Sequence, residues 1–137
     1  MDRKEFLTSI SVGAAAAACS YCLGACKVND SGITGPTNVN FTLDLTAPAN
    51  SGLNNVGGYV YNAGVIVANT PKGFVAVSST CTHQGATIYY DLSTNSFFCP
   101  AHGSRFDTNG AVINGPASSG LSKYKVSQNG SQLKVTS

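Results

Sequence analysis

The sequence predicts an all-β fold for most of the chain, and three observations carry this prediction. Glycine occurs 15 times and Ser, Thr and Asn are abundant, a mixture that favours short strands and turns. The 42% of hydrophobic and 10% of charged residues argue against disorder. Short stretches of alternating apolar and polar residues recur from residue 39 onward, which is typical of half-buried strands. Turn-forming residues separate these stretches, and the composition is poor in the residues that favour long helices. The length predicts one domain with one core.

The predicted strands follow one another in chain order. Segment 39–45 alternates apolar and polar residues and forms the first strand. Residues 70–73, with a Pro and a Gly, predict a tight turn, and Asn129-Gly130 predicts a closing hairpin. The full set of predicted strands covers residues 39–45, 60–61, 65–67, 74–77, 87–90, 96–99, 111–113, 124–127 and 132–136.

Residues 1–25 have the composition of an export signal, with a basic start, an Ala-rich middle and small residues before a cysteine. The apolar stretch falls short of the roughly 20 strongly apolar residues of a permanent membrane span. Arg3-Lys4 stands where a twin-arginine signal has two arginines, so the export route stays open. Residues 26–38 are rich in Gly, Ser, Asn and Pro and predict a flexible tether, which leaves residues 39–137 as the folded domain.

The segment Leu23-Gly24-Ala25-Cys26 resembles the bacterial lipobox, whose cysteine receives a lipid and becomes the first residue of the mature chain. The resemblance implies that Cys26 anchors an exported lipoprotein to a membrane of the cell envelope, facing the periplasm or the cell surface. Cys19, Cys22 and Cys26 are also a candidate iron-sulfur ligand run, but a fourth cysteine nearby is missing. Eight basic residues against six acidic ones give no basic stripe, so nucleic acid is not an expected partner.

The chemistry of the chain is concentrated in two short sequences, Cys81-Thr-His83 and Cys99-Pro-Ala-His102, which contain both histidines of the chain and both downstream cysteines. Each sequence follows a predicted strand, so neighbouring strands would bring the four side chains together. A lone Cys or His is usually structural, whereas this matched arrangement rarely arises by accident and predicts a metal site. Two Cys and two His also satisfy tetrahedral zinc. Zinc sites usually group cysteines together and histidines together, whereas each loop here offers one of each.

The sequences Cys81-Thr-His-Gln-Gly and Cys99-Pro-Ala-His-Gly-Ser-Arg-Phe-Asp resemble the two cluster-binding boxes of the Rieske iron-sulfur proteins. The resemblance implies a [2Fe-2S] cluster with Cys81 and Cys99 on one iron and His83 and His102 on the other. It also implies a Rieske-type sandwich of antiparallel sheets with two cluster-binding loops. Ser104 matches the family serine whose hydroxyl bonds to a bridging sulfide.

Three positions depart from the respiratory members of that family. Ala86 and Ala101 stand where those members have two cysteines joined in a disulfide, and Phe106 replaces a tyrosine that bonds to a ligand sulfur. Residues 114–117 resemble the proline loop that covers the cluster in the quinol-oxidising branch. Because Phe106 cannot make the tyrosine hydrogen bond to a ligand sulfur, we predict an intermediate or low reduction potential within the Rieske range of roughly −150 to +300 mV. Solvent-accessible histidine ligands predict a potential that falls at alkaline pH.

These features favour an exported, membrane-tethered electron carrier that passes single electrons between redox protein partners. One alternative is a Rieske subunit of a quinol-oxidising or other oxidoreductase complex, and a second is a zinc-stabilised, non-redox envelope lipoprotein. No separate catalytic machinery is visible, so the chain is expected to be an electron-transfer component rather than an enzyme on its own. Asp107 is expected to cap a turn. Arg105 is expected either to shape a docking surface beside the cluster or to be solvated.

Overall fold

The computed structural model describes residues 34–137, which form short antiparallel strands and one 3-10 helix, Pro48–Asn54. The predicted export signal and Cys26 lie outside the described residues, as does most of the predicted tether. No helix in the described part of the chain is long and apolar enough to span a membrane. The strands are β1 (Asn40–Asp44), β2 (Tyr59–Asn62), β3 (Val65–Thr70), β4 (Gly73–Ser78), β5 (Tyr89–Asp91), β6 (Ser96–Phe98), β7 (Arg105–Phe106), β8 (Val112–Asn114), β9 (Lys123–Asn129) and β10 (Gln132–Thr136).

The strands form two antiparallel sheets. A six-stranded sheet has the order β1-β10-β9-β4-β3-β2, and a four-stranded sheet has the order β5-β6-β7-β8. The four-stranded sheet is a simple meander, because each of its strands pairs with the next one along the chain. This arrangement confirms the predicted fold class of antiparallel sheets.

Two hydrophobic clusters fill the domain instead of the single core that its length predicts, and β3 contributes to both. Ile66 and Ala68 belong to the cluster that also holds the four-stranded sheet and both downstream cysteines. Val65 and Val67 belong to the second cluster, where Leu53 of the 3-10 helix is fully buried. Successive strand residues point to opposite faces, so a strand that is buried on both faces needs an uninterrupted apolar run.

The structure differs from the predicted elements at a few places. The two-residue strand β7 and the 3-10 helix have no counterpart in the prediction. The closing hairpin is present, but Gln132 pairs with Asn129, so Gly130 and Ser131 form the loop, with Gly130 at φ 60°. Most other strands shift by one or two residues at their ends, where backbone pairing rather than side-chain pattern sets the boundary.

The last residues of the segment predicted as a tether contact the folded domain. The Tyr124 hydroxyl donates a 2.7 Å hydrogen bond to the Pro36 carbonyl. A side chain at Gly35 would collide with Tyr124 and Ser78, because a Cβ atom built there lies closer than van der Waals contact to both. Close packing therefore begins at residues 35 and 36, before β1.

Candidate metal centre

Three loops lie at one end of the four-stranded sheet. Loop 1 (residues 81–86) precedes β5, and loop 2 (residues 99–104) connects β6 to β7. Residues 115–120 follow β8, and we call them the proline loop because they include most of the segment 114–117 that resembles it. In a meander, connections alternate between the two ends of the sheet, so the loop before β5, the β6–β7 loop and the segment after β8 share one end. We call this the site end. All four predicted ligands lie in loops 1 and 2.

Loops 1 and 2 are closed by the same pair of backbone hydrogen bonds. Cys81 N–H donates to Ala86 C=O at 2.7 Å and Gly85 N–H donates to Cys81 C=O at 2.9 Å. In loop 2, Cys99 N–H donates to Ser104 C=O at 2.8 Å and Gly103 N–H to Cys99 C=O at 3.0 Å. Both glycines have positive φ, 76° and 82°, which a residue with a side chain rarely adopts. The two loops therefore present their cysteines in matching settings.

The two cysteines lie side by side within the protein. Cys81 is 0% exposed and Cys99 2%, neither forms a disulfide, and both belong to the hydrophobic cluster beneath the loops. Burial raises the pKa of the Cys81 thiol, and so does its hydrogen bond to Cys99, whereas hydrogen bonds from the backbone N–H groups of His83 and Gln84 lower it. The same N–H groups would stabilise a thiolate sulfur bound to iron.

The two histidines also form a pair, but on the outside. Both side chains are exposed, and the ring centroids of His83 and His102 lie 5.1 Å apart with the planes at 82°. The site thus consists of an inner pair of sulfurs and an outer pair of imidazoles. Among residues 34–137, no three His, Cys, Asp or Glu side chains surround one metal position. The sequence led us to expect four donors around one point. The structure instead divides them into a cysteine pair and a histidine pair.

Gln84 of loop 1 contacts the imidazole ring of His102 in loop 2. Its Oε1 lies 2.6 Å from Nε2 of His102, a distance that corresponds to a short hydrogen bond. With Nε2 of His102 engaged by Gln84, Nδ1 is the ring nitrogen that remains for a metal. Sequence reasoning did not assign a role to Gln84, and its only signal was a polar residue inside the first ligand sequence.

Two hydroxyl side chains fasten the proline loop to both ligand loops. Ser104 is 0% exposed, and its Oγ accepts a 3.0 Å hydrogen bond from Ala117 N–H, which leaves its own proton free to donate. Thr82 Oγ1 donates a 2.6 Å hydrogen bond to Ser119 C=O. Loops 1 and 2 are thereby held together through a third loop. The role of Thr82 was missed in the sequence, because its partner is 37 residues away.

We expect Thr82→Val to loosen loop 1 while leaving the fold intact. The exchange removes one hydrogen bond at nearly constant volume, which costs about 1 kcal/mol or a factor of roughly five in a local opening equilibrium. Loss of bound metal to a chelator should accelerate by that factor, as measured by absorbance. Thr42→Val, at an exposed position of β1 with no side-chain hydrogen bond in the described structure, is the matched control. Equal rates for the two variants would contradict the role of Thr82.

The remaining candidate residues lie away from the two pairs of donors. Asp107 Oδ1 accepts hydrogen bonds from Asn109 N–H at 2.8 Å and Ala111 N–H at 3.0 Å, in agreement with its expected capping role. Arg105 forms a 3.3 Å ion pair with Asp91 while its side chain stays 30% exposed, so it is only partly solvated. Phe106 is fully buried in the cluster beneath the loops.

The raised pKa of the Cys81 thiol predicts a pH dependence for the metal-free protein. The pKa of this thiol is higher in the folded chain than in the unfolded chain, where it is about 8.5. The folded state is therefore favoured while the thiol is protonated, and this contribution to stability is lost as the pH rises above about 8.5. The free energy of unfolding in urea should fall as the pH rises above about 8.5, by at most ~1.4 kcal/mol per pH unit. Cys81→Ser should show a shallower fall. A slope that is the same in both proteins would contradict the assignment.

The fold and the site together define a class: a two-sheet β protein with paired thiols and paired imidazoles on adjacent loops. The sequence model of the Rieske [2Fe-2S] domain matches residues 48–125, which include all four donors. This match covers more than half of the chain, and the chain belongs to the Rieske [2Fe-2S] domain family. The cofactor of this family is a [2Fe-2S] cluster, which confirms the cofactor predicted from the two ligand sequences.

Curated relatives and a solved structure agree with the family. The cytochrome b6-f complex iron-sulfur subunit of Chlorobaculum thiosulfatiphilum is 35% identical over 72 residues, 53% of this chain and 40% of the relative. The cytochrome b6-f complex iron-sulfur subunit of Prochlorococcus marinus (strain AS9601) is 47% identical over 45 residues, 33% of this chain and 25% of the relative. The matched parts thus span less than half of these relatives. The ferredoxin of carbazole 1,9a-dioxygenase from Nocardioides aromaticivorans IC177 has a TM-score of 0.53 at 26% identity, covering 74% of this chain and 98% of the ferredoxin.

Proposed function

We propose that this protein is an electron-transfer protein with one Rieske [2Fe-2S] cluster, which passes single electrons between redox partners in the bacterial cell envelope. In this proposal Cys81 and Cys99 bind one iron, and His83 and His102 bind the other. The observation that carries it is the separation of the donors into a buried sulfur pair and an exposed imidazole pair. A Rieske cluster takes two thiolates on one iron and two imidazoles on the other.

The donor set present in the chain fits this cofactor. Soft thiolates and borderline imidazoles suit iron-sulfur ligation, and two protein ligands for each iron agree with the absence of a three-ligand shell in the described residues. When bound, the cluster supplies reversible one-electron chemistry. The buried cysteines exclude water from the sulfur side, and the exposed imidazoles of His83 and His102 provide the short route by which an electron reaches a partner.

The residues around the donors are positioned to tune the reduction potential. Hydrogen-bond donors to sulfur favour the reduced, more negative cluster, so they raise the potential. The backbone N–H groups of His83 and Gln84 donate to the Cys81 sulfur, and the Ser104 hydroxyl, which accepts from Ala117 N–H, would be available to donate to a cluster sulfide. Phe106 has no hydroxyl to contribute, which supports a potential below that of the quinol-oxidising respiratory proteins.

A second candidate is a Rieske subunit of a quinol-oxidising complex, and the relatives named as cytochrome b6-f iron-sulfur subunits favour it. The proline loop, fastened to both ligand loops, also supports this candidate. Ala86, Ala101 and Phe106 oppose it, because they lack the disulfide and the tyrosine of the respiratory members. If a quinol analogue reduces the cluster in purified membranes, the quinol-oxidising role is supported. A potential well below the quinone pool would exclude it.

The cell-envelope location rests on residues 1–26. The signal-like composition of residues 1–25 and the lipobox-like setting of Cys26 support export followed by lipid attachment. In labelled bacterial cells, the protein should incorporate a radioactive fatty acid and sediment with membranes. Cys26→Ala should prevent both. Fatty-acid incorporation that is unchanged in this variant would contradict the anchor at Cys26.

A spectroscopic redox titration of the purified full-length protein tests the electron-transfer function. The oxidised protein should be red-brown, and one-electron reduction should produce a rhombic EPR signal that disappears on reoxidation. The midpoint potential should fall with pH on the alkaline side, because oxidation then releases protons from the histidine rings. A colourless protein that contains zinc would support the non-redox alternative instead. Colour without reversible reduction would contradict the electron-carrier role.

A further inference from the structure

Gln84 makes hydrogen bonds in two directions within the site. Its backbone N–H donates to the sulfur of Cys81, which lies in the same loop. Its side-chain Oε1 lies 2.6 Å from Nε2 of His102, which lies in the other ligand loop. In the proposed arrangement of the cluster, Cys81 and His102 bind different irons. One exposed residue therefore contacts a ligand of each iron.

The backbone of loop 1 is fixed on both sides of Gln84. Two residues before it, Thr82 Oγ1 donates a 2.6 Å hydrogen bond to Ser119 C=O. Directly after it, Gly85 N–H donates to Cys81 C=O at 2.9 Å, with Gly85 at a φ of 76°. Because this backbone is already ordered, only side-chain rotamers have to be fixed when Gln84 engages loop 2. The contact between the two ligand loops therefore forms at a low cost in conformational entropy.

The bond between Gln84 and His102 joins two loops that lack the covalent link of the respiratory members. Ala86 and Ala101 stand where those members have the two cysteines of a disulfide. The hydroxyl side chains of loops 1 and 2 reach the proline loop, whereas Gln84 reaches the opposite ligand loop directly. Gln84 thus connects the loops at the exposed imidazole of His102.

The proton on His102 gives this contact a direction. A histidine that binds iron through Nδ1 carries its proton on Nε2, so Nε2–H donates and Gln84 Oε1 accepts. An acceptor on the outer nitrogen fixes the orientation of the ring and raises its basicity as a ligand. A more basic ligand stabilises the oxidised iron. The side chain of Gln84 therefore favours the oxidised cluster, whereas its backbone N–H, as a donor to sulfur, favours the reduced cluster.

We propose that the Gln84 side chain positions the His102 ring on its iron and lowers the reduction potential of the cluster. This inference rests on the proposed electron-transfer function and identifies a residue that adjusts it. Gln84 is a positioning residue, because it acts through the ring and does not itself bind iron. His83 is the internal reference, since the side chain of Gln84 bonds to the other ring.

Gln84→Leu tests the proposal in the full-length, cluster-containing protein. Leucine has nearly the volume of glutamine but no acceptor, so the midpoint potential at neutral pH should rise. A less polar side chain by itself disfavours the more negative, reduced cluster and would lower the potential. A rise therefore identifies the lost hydrogen bond. Loss of iron to a chelator should accelerate about fivefold, because one hydrogen bond between the loops is removed.

Two further variants and a spectroscopic measurement separate this role from a general loss of stability. Gln84→Glu keeps an acceptor at the same position, so its rate of iron loss should stay within about twofold of the wild-type rate. Gln132→Leu makes the same exchange as Gln84→Leu at an exposed position of β10 and should leave the potential and the rate of iron loss unchanged. Pulsed EPR of reduced Gln84→Leu should show a changed coupling to one histidine nitrogen and an unchanged coupling to the other.

Each outcome supports or overturns the role of Gln84. An unchanged or lower potential in Gln84→Leu, an equal rise in Gln132→Leu, rapid iron loss in Gln84→Glu, or equal changes in both nitrogen couplings would overturn it. The proposed function would remain valid in each of these cases, because reversible reduction of the cluster would have been observed. A wild-type protein without a reversible cluster signal would instead overturn the proposed function, and the role of Gln84 with it.

Discussion

Cys99→Ser should eliminate the visible absorbance and the EPR signal of the protein. A serine oxygen is a poor substitute for a soft thiolate ligand of iron. Cys99 is also 2% exposed within the hydrophobic cluster, where an unpartnered hydroxyl costs about 1 to 3 kcal/mol. We expect less than about a tenth of the wild-type iron content in the purified variant, and the same result for Cys81→Ser.

In the unprocessed chain, which retains residues 1–25, Cys22→Ser is the matched control for both variants, since it makes the same exchange in the N-terminal segment. Its iron content and spectrum should equal those of the wild type. This control also tests whether Cys19, Cys22 and Cys26 form an iron-sulfur ligand run. Full iron content in Cys99→Ser, or loss of iron in Cys22→Ser, would place the metal elsewhere and contradict the assigned ligands.

Ser104→Ala should lower the midpoint potential. The Ser104 hydroxyl accepts from Ala117 N–H and keeps its proton free for an acceptor such as a cluster sulfide. We expect the Ser104 hydrogen bond to be stronger to the reduced cluster than to the oxidised cluster by about 1.4 kcal/mol. Its loss then lowers a one-electron potential by about 59 mV. The variant also leaves Ala117 N–H without its acceptor, so metal loss to a chelator should accelerate about fivefold.

Ser96→Ala is the control for this prediction. Ser96, in β6, is likewise a buried serine, 1% exposed, but it bonds to Thr94 and Arg105 at the end opposite the site. Its removal should change stability without changing the potential. A potential that is unaffected in Ser104→Ala, or equally lowered in both variants, would remove Ser104 from the surroundings of the cluster.

The four donor residues could be identified because each ligand sequence is local, whereas their division into a cysteine pair and a histidine pair was implied by the resemblance to the Rieske boxes. Each ligand sequence contains one Cys and one His within four residues and a glycine four residues after the cysteine, and the structure closes both loops at that glycine. The hydrogen bonds from Thr82 to Ser119 and from Gln84 to His102 could not be predicted. They join residues 37 and 18 positions apart, and only the register of the four-stranded sheet brings them together.

The strands of the six-stranded sheet were easier to predict than those of the four-stranded sheet. β1, β3 and β4 carry alternating or continuous apolar patterns of five or six residues. β7 has only two residues and a bulge between Arg105 and Phe106, which is too short for a period of two to be visible. The ion pair between Arg105 and Asp91 was not predicted for a related reason, because it forms across β6.

Metal and sulfide analysis of the purified full-length protein tests the central claim most directly. Two imidazoles and two thiolates on separate irons require two irons and two acid-labile sulfides for each chain. We predict that stoichiometry, together with a rhombic EPR signal in the reduced protein and strong coupling of the unpaired electron to two histidine nitrogens. One zinc ion for each chain without acid-labile sulfide, or an iron-sulfur signal that lacks histidine nitrogen coupling, would contradict the claim.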